Sequence, residues 1–237
     1  MQQIICRLAK GEAVKYVSHL DLMRAVERGA RRAGLPLAHS QGFNPRPKIA
    51  SASALSVGAT SEAELLVIEL DEPRDPLDVQ ERLNGKLPDG LEVLQAWTQP
   101  AYKHKFAIGE TDTAEFRVTV EGPVEPERLA EAVRAFLGAE EVAVERVKGD
   151  RAKQMNIRPF VSALDLVERE PGRAVLRLRV RLSPSGSART EEVLAAVGIA
   201  GDDFRVAVHR TALYASGRTG KQAKQRLERM LPRRSAP

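Results

Sequence analysis

The chain has 237 residues, a formal net charge of +5 and a single cysteine, Cys6. That length suits one large or two small domains, and one thiol excludes a disulfide framework or any multi-cysteine zinc or iron–sulfur cluster within these residues. The charge is uneven: seven of the 37 Lys/Arg and one of the 32 Asp/Glu lie in 217–237, leaving 30 basic against 31 acidic groups elsewhere, so nucleic-acid binding has to be argued from local patches.

In chain order, Ile4, Cys6 and Leu8 alternate, so residues 2–9 read as a strand. The opening MQQIICR has no signal-peptide pattern and no apolar run approaches a membrane span, so the expectation is a cytoplasmic protein without membrane contact. Residues 14–48, VKYVSHLDLMRAVERGARRAGLPLAHSQGFNPRPK, are the stretch around which the rest is organised. Ser18 suits the N-cap of a helix over 19–34, with Asp21 placed to reach back to the cap's amide. Leu22, Met23, Ala25, Val26, Gly29, Ala30 and Ala33 project to one side, and Arg24, Arg28 and Arg31 to the other. Gly29 sits mid-face, where a missing side chain favours close approach to a sheet, and Gly34 with Pro36 stops the helix. In the SQGFNPRPK that follows, two prolines stiffen the chain, Gly42 and Asn44 tolerate unusual dihedrals, and Phe43 is apolar in a polar setting. A stiff loop with one aromatic and two cations beside a cationic helix is an anion platform; for the arginine stripe alone, an ordinary solvated face is the competing reading.

Residues 49–56 and 64–70 read as strands, the second (ELLVIEL) apolar on both faces as at a sheet centre. Asp75 and Pro76 open a helix to about residue 87, PDG turns, and 91–97 is a strand. The order is βαββαβ, the ferredoxin-like plan. Residues 99–113 are the linker candidate. The rhythm then repeats: a strand around Phe116, Val118 and Val120, a helix from Pro126, a strand over 142–147, a basic loop over 148–158, an unassigned stretch over 153–169, a strand over 173–182, a helix from a Thr190 cap to Gly198, and a strand over 204–214. The expected fold class is α+β: two tandem ferredoxin-like (βαββαβ) units with antiparallel sheets, over 1–98 and 114–216, plus a basic C-terminal helix or tail over 217–237. That tail is expected to bind nucleic acid or an acidic partner nonspecifically and to be dispensable for folding.

RAVLRLRVRL puts Arg177, Arg179 and Arg181 on one strand face. Such a face suits RNA, but aromatics to stack on bases are scarce, and a salt-bridged solvated face competes. His19 is the histidine of the organising stretch. With Tyr16 or Lys15 it offers metal-independent RNA cleavage, against which stands a packed, hydrogen-bonded histidine on the apolar side. GRTGK at 217–221 lacks the spacing of a phosphate loop.

The run K-Y-x-S-H-L-D-L-M-R … R-R-A-G-L-P-L … S-Q-G-F-N-P resembles the radical-SAM-linked family, a domain of unknown function found beside, or fused to, radical S-adenosylmethionine proteins. The likeness extends through 61–70 and, more thinly, Ile157, Arg158, Pro159 and 209–213. Arg46 departs from it, standing where the family more often has His, which speaks against a catalytic histidine there. More distantly the helix and loop resemble the repeat-associated RNA-binding superfamily, whose members include CRISPR RNA-processing endoribonucleases of tandem ferredoxin-like domains. The resemblance implies an accessory role with a separate radical SAM protein, around RNA. Any cluster for radical chemistry would belong to that other polypeptide. The expectation is thus a non-catalytic RNA-binding or substrate-presenting module without cofactor or metal. Lys15, His19, Arg24, Arg28, Gln41, Asn44, Arg46, Lys48 and Arg158 are its phosphate and base contacts, and Phe43 a stacker or loop anchor. The alternatives are a metal-independent endoribonuclease using His19, Tyr16 and Lys15, and a protein-interaction module.

Overall fold

A computed structural model describes residues 1–98, 111–149 and 151–215. The candidate linker, save its last three residues, and the basic tail with GRTGK therefore lie outside the described residues. What is described is a mixed α+β protein with mostly antiparallel sheet and four α-helices, dividing into two compact units. Within the described residues the first takes in 1–57, 61–98, 111–113 and 213–215, and the second 58–60, 114–149 and 151–212.

In the first unit, β1 (Gln2–Lys10) lies between β4 (Leu91–Thr98) and β3 (Thr60–Leu70), antiparallel to both, and the short β2 (Ile49–Ser51) pairs with β3. The alternation of Ile4, Cys6 and Leu8 turns those side chains into a core with Leu66, Ile68 and Leu70 of β3. Two helices cover it: α1 (His19–Arg32), through Leu22, Ala25, Val26 and Ala30, and α2 (Pro76–Asn84), through Val79 and Leu83. Both alternating sets of β3 are buried, since Ala63, Leu65 and Val67 on its other side are also enclosed. Burial pushes the Cys6 thiol up to about 12, which makes it unreactive. Gly29 corrects its sequence reading: a Cβ there would meet Leu87 Cδ2 at 3.1 Å, so the close approach is to the chain leaving α2 and not to the sheet.

In the second unit the strand order is β10-β5-β9-β8. The strands are β5 (Thr113–Glu121), β8 (Val161–Glu170), β9 (Arg173–Arg181) and β10 (Arg205–Tyr214); the helices are α3 (Pro126–Gly138) and α4 (Thr190–Ala196). Residues 142–147 are not a strand of this sheet. They pair instead as β6 (Ala143–Lys148) with β7 (Arg151–Asn156) in a separate two-stranded ribbon, and the unassigned stretch supplies the sheet strand β8. Arg146 anchors the ribbon: its Nε and Nη2 donate to the Glu192 carboxylate at 2.6 and 2.7 Å, and Nη2 also to Ser187 O at 2.6 Å. The cap of α4 is Arg189 rather than Thr190, its amide donating to Glu192 Oε2 at 2.9 Å.

Candidate nucleic-acid interface

The chain leaves β1 through a turn held by an unexpected group. Lys10 is 1 % exposed, and its ammonium donates to the carbonyls of Lys15 (2.8 Å) and Val17 (3.0 Å). Desolvation lowers its pKa, partly offset by the charge of Glu64. The period-two pattern of Ile4, Cys6 and Leu8, continued two residues further, already turns Lys10 inward; that signal was available in the sequence. The pinned turn presents Tyr16 to solvent, with the Lys15 ammonium 5.3 Å from the ring centroid. Lys15 itself pairs with Glu12 at 2.8 Å, and that hydrogen bond raises its pKa.

Ser18 caps α1 as its sequence position suggests, accepting from the Asp21 amide at 3.2 Å. The Asp21 carboxylate does not reach back to the cap's amide. It accepts from the Ser18 hydroxyl at 2.8 Å and from Arg24 at 3.0 Å, and these partners hold its carboxyl below the usual range. His19 opens the helix half-buried, and among the described residues its enclosed Nδ1 has no hydrogen-bond partner. Arg24, Arg28 and Arg31 are exposed along the outer face. Arg31 pairs with Glu27 at 2.9 Å, and Arg28 carries no ion pair among the described residues.

At the far end, Gly34 (φ +65°) closes α1. The Leu35 amide donates to Ala30 O and the Gly34 amide to Arg31 O, the paired bonds of a Schellman stop. The chain then meets the end of β3, where Leu37 bridges Leu70 and the Ala38 amide donates to Glu69 O at 2.9 Å. From there it makes a narrow finger. Lys48 N donates to Ala38 O (2.8 Å), His39 bridges Pro47, Ser40 N donates to Arg46 O (2.9 Å), and Arg46 N to Ser40 Oγ (3.0 Å). Ser40 is the pin that sequence reasoning passed over; its only signal is a short polar residue facing Arg46 across the tip. Beyond this last rung lie Gln41, Gly42 (φ +132°), Phe43, Asn44 and Pro45, all exposed. Phe43 is fully exposed, at 106 % of its reference area. Arg46 is exposed and, among the described residues, in no ion pair, whereas Lys48 pairs with Glu69 at 3.3 Å.

The structure separates the sequence candidates into groups. Gln41, Phe43, Asn44, Arg46 and Lys48 share the finger. Lys15, Tyr16 and His19 follow the opposite end of β1, a strand of nine residues, so the two groups start roughly 25 Å apart. The helix runs between them, with Arg24 nearer the turn and Arg28 and Arg31 nearer the finger. Arg158 joins neither group. It sits in the second unit, where its guanidinium donates to Leu137 O (2.8 and 3.3 Å) and Val161 O (2.7 Å) and lies 5.7 Å from the Phe136 ring. It caps the carbonyl end of α3, and three of its five N–H donors are used inside the fold. The arginine face of β9 is a salt-bridge ladder: Arg177 pairs with Asp165, Arg179 with Glu115, and Glu168 with both Arg117 and Arg173. Those two arginines hold the Glu168 carboxyl below its usual range. Neutralised pairs do not make the open cationic face the sequence offered; Arg181 stands outside the ladder.

An exposed ring on a hydrogen-bonded finger beside an unpaired guanidinium can stack and bind an anion. Residues 3–191 match the profile of a family described as an uncharacterized protein conserved in bacteria, DUF2344. No curated protein matches. A chain of a Cbf5–Nop10–Gar1 complex is similar over 89 % of this chain and 48 % of its own length, with 11 % identity and a TM-score of 0.50. A chain of the archaeal box H/ACA sRNP Nop10–Cbf5 complex is similar over 87 % and 46 %, with 10 % identity and a TM-score of 0.45. The present chain thus spans about half the length of these solved chains.

Proposed function

The chain belongs to the DUF2344 family of bacterial proteins, and from that premise we propose that it is a non-catalytic RNA-binding module that presents RNA to a separate protein. The observation that carries this reading is the finger: Phe43 fully exposed on a hydrogen-bonded hairpin, with Arg46 close in the chain and in no ion pair among the described residues. Exposing a phenyl ring to water is unfavourable, and a ring held out by a regular ladder is the arrangement single-stranded nucleic acids stack on. Gln41 and Asn44 supply further contacts, and Arg28 and Lys48 are further candidates for phosphate. In this reading each unit is a ferredoxin-like βαββαβ module, the first and third strands inside, with the β6–β7 ribbon inserted in the second. Strand orders β4-β1-β3 with β2 on β3, and β10-β5-β9-β8, support it. The solved chain matched at a TM-score of 0.50 comes from a complex of Cbf5, Nop10 and Gar1. The partner is proposed to be a radical SAM protein in the cytoplasm, on the strength of the sequence resemblance around 14–48.

Cleavage by His19 is the weaker reading. Its ring is half-buried at the first turn of α1, and Lys15 is tied to Glu12. The test is incubation of the pure protein with labelled total RNA, with and without EDTA. Retention of intact RNA under both conditions is expected. Discrete cleavage products that survive EDTA and vanish with His19→Ala would replace this function with an endoribonuclease, and no retention at all would remove RNA from the account.

A further inference from the structure

The finger's shape says more than that it is polar and cationic. Phe43 stands at its apex, beyond the last rung formed by Ser40 and Arg46. The preceding Gly42 has φ +132° and open space where a Cβ would be, and the ring itself is fully exposed. Within 38–48, Phe43 is the sole large exposed hydrophobic side chain. A protein-docking knob generally belongs to a wider apolar patch with a polar rim, and here the polar residues begin immediately beside the ring. Gln41 and Asn44 each carry an amide with both donor and acceptor, the complement of a base edge. Of the two cations, Lys48 is held by Glu69, leaving Arg46 for one phosphate.

We infer that the ligand of the finger is an unpaired nucleobase of single-stranded RNA, stacked on Phe43 with Arg46 on an adjacent phosphate. This rests on the RNA reading above and narrows it. Stacking then dominates over charge: one phosphate contact on a single strand changes the salt slope by only about 0.7. A duplex is disfavoured, because its base faces are covered and a step must unstack before the ring can meet one.

The full chain decides this with three probes of equal length: oligo(A) carrying 2-aminopurine, the same strand annealed to its complement, and an abasic strand with the same phosphates. The expected result is tighter binding of the single strand than of the duplex, with 2-aminopurine quenched. Phe43→Ala should weaken single-strand binding by roughly five- to more than a hundred-fold, abolish the quench and leave abasic binding unchanged. Phe43→Trp should retain both binding and quench. An equal loss on the abasic strand, or unchanged affinity of Phe43→Ala for oligo(A), overturns the inference while the RNA reading stands. Binding of none of the probes by the unaltered chain overturns the inference, and the RNA reading falls with it when labelled total RNA is not retained either. Phe43→Ala that leaves all RNA affinities intact but loses capture of a protein partner overturns it in favour of a protein ligand.

Discussion

Replacing Glu192 by Gln tests whether the Arg146–Glu192 pair holds the β6–β7 ribbon on the second unit. The two side chains are 22 % and 12 % exposed, and two bonds of 2.6 and 2.7 Å join them. Removing one partner of a fully buried pair costs about 3–5 kcal/mol. Water reaches part of this pair, so the expected loss is lower, about 2–3 kcal/mol. For a chain of this size that corresponds to a drop of roughly 4–12 °C in its melting temperature. The Arg146→Met, Glu192→Leu double variant should lose less than the sum of the single changes, because no charge is left stranded. Acid dependence gives an independent reading. Burial opposes the charge on Glu192, but Arg146 and the Arg189 amide outweigh it, and the carboxyl lies below its usual 4.5. Between the folded value and 4.5 the unfolded chain binds more protons. The pair's contribution is therefore complete above 4.5 and is lost as pH falls through the folded value; Glu192→Gln should flatten that part of the acid limb. Urea and thermal melts across pH measure both effects. A loss below about 0.5 kcal/mol for Glu192→Gln, the range of ordinary surface changes, with an unchanged acid limb would refute the anchoring role.

Three further outcomes follow from the geometry. Arg158→Ala removes three hydrogen bonds to Leu137 and Val161, so it should cost about 2–3 kcal/mol in a denaturant melt while leaving RNA affinity unchanged; weaker binding without lost stability would return Arg158 to the interface. Gly34→Ala forces a side chain to φ +65° and should lower stability by about 1 kcal/mol in the same melt. Asp21, held below its usual pKa by Ser18 and Arg24, should support α1 fully above 3.8 and progressively less as pH falls through its folded value; helix content against pH should show this for the parent chain and not for Asp21→Asn.

Much of the first unit is readable from sequence because local signals and packing agree there. Ser18 and Gly34 bracket α1, Asp75 and Pro76 open α2, and the double-sided ELLVIEL is buried on both sides. The second unit misleads at 142–170, where the regular alternation belongs to the separate ribbon. In β8 the register shifts between Val161 and Ala163 and again between Leu166 and Glu168, which breaks the two-residue period a strand is recognised by. Roles that depend on distant partners were also hidden. Arg158 looks like any loop arginine until the end of α3 is beside it, and the arginines of β9 look free until Glu115, Asp165 and Glu168 face them. The finger was half legible: its stiff composition pointed to Phe43 and Arg46, while the Ser40–Arg46 rung that sets the ring at an apex is tertiary geometry.

The most direct measurement is RNA affinity and melting temperature of the parent chain and Phe43→Ala, each at two salt concentrations. An exposed ring adds little to the fold, so stability should stay within about 0.5 kcal/mol. Affinity should fall by the equivalent of about 1–3 kcal/mol at both salts, because stacking is not screened. A lower melting temperature with unchanged affinity would make Phe43 a fold anchor and contradict the account.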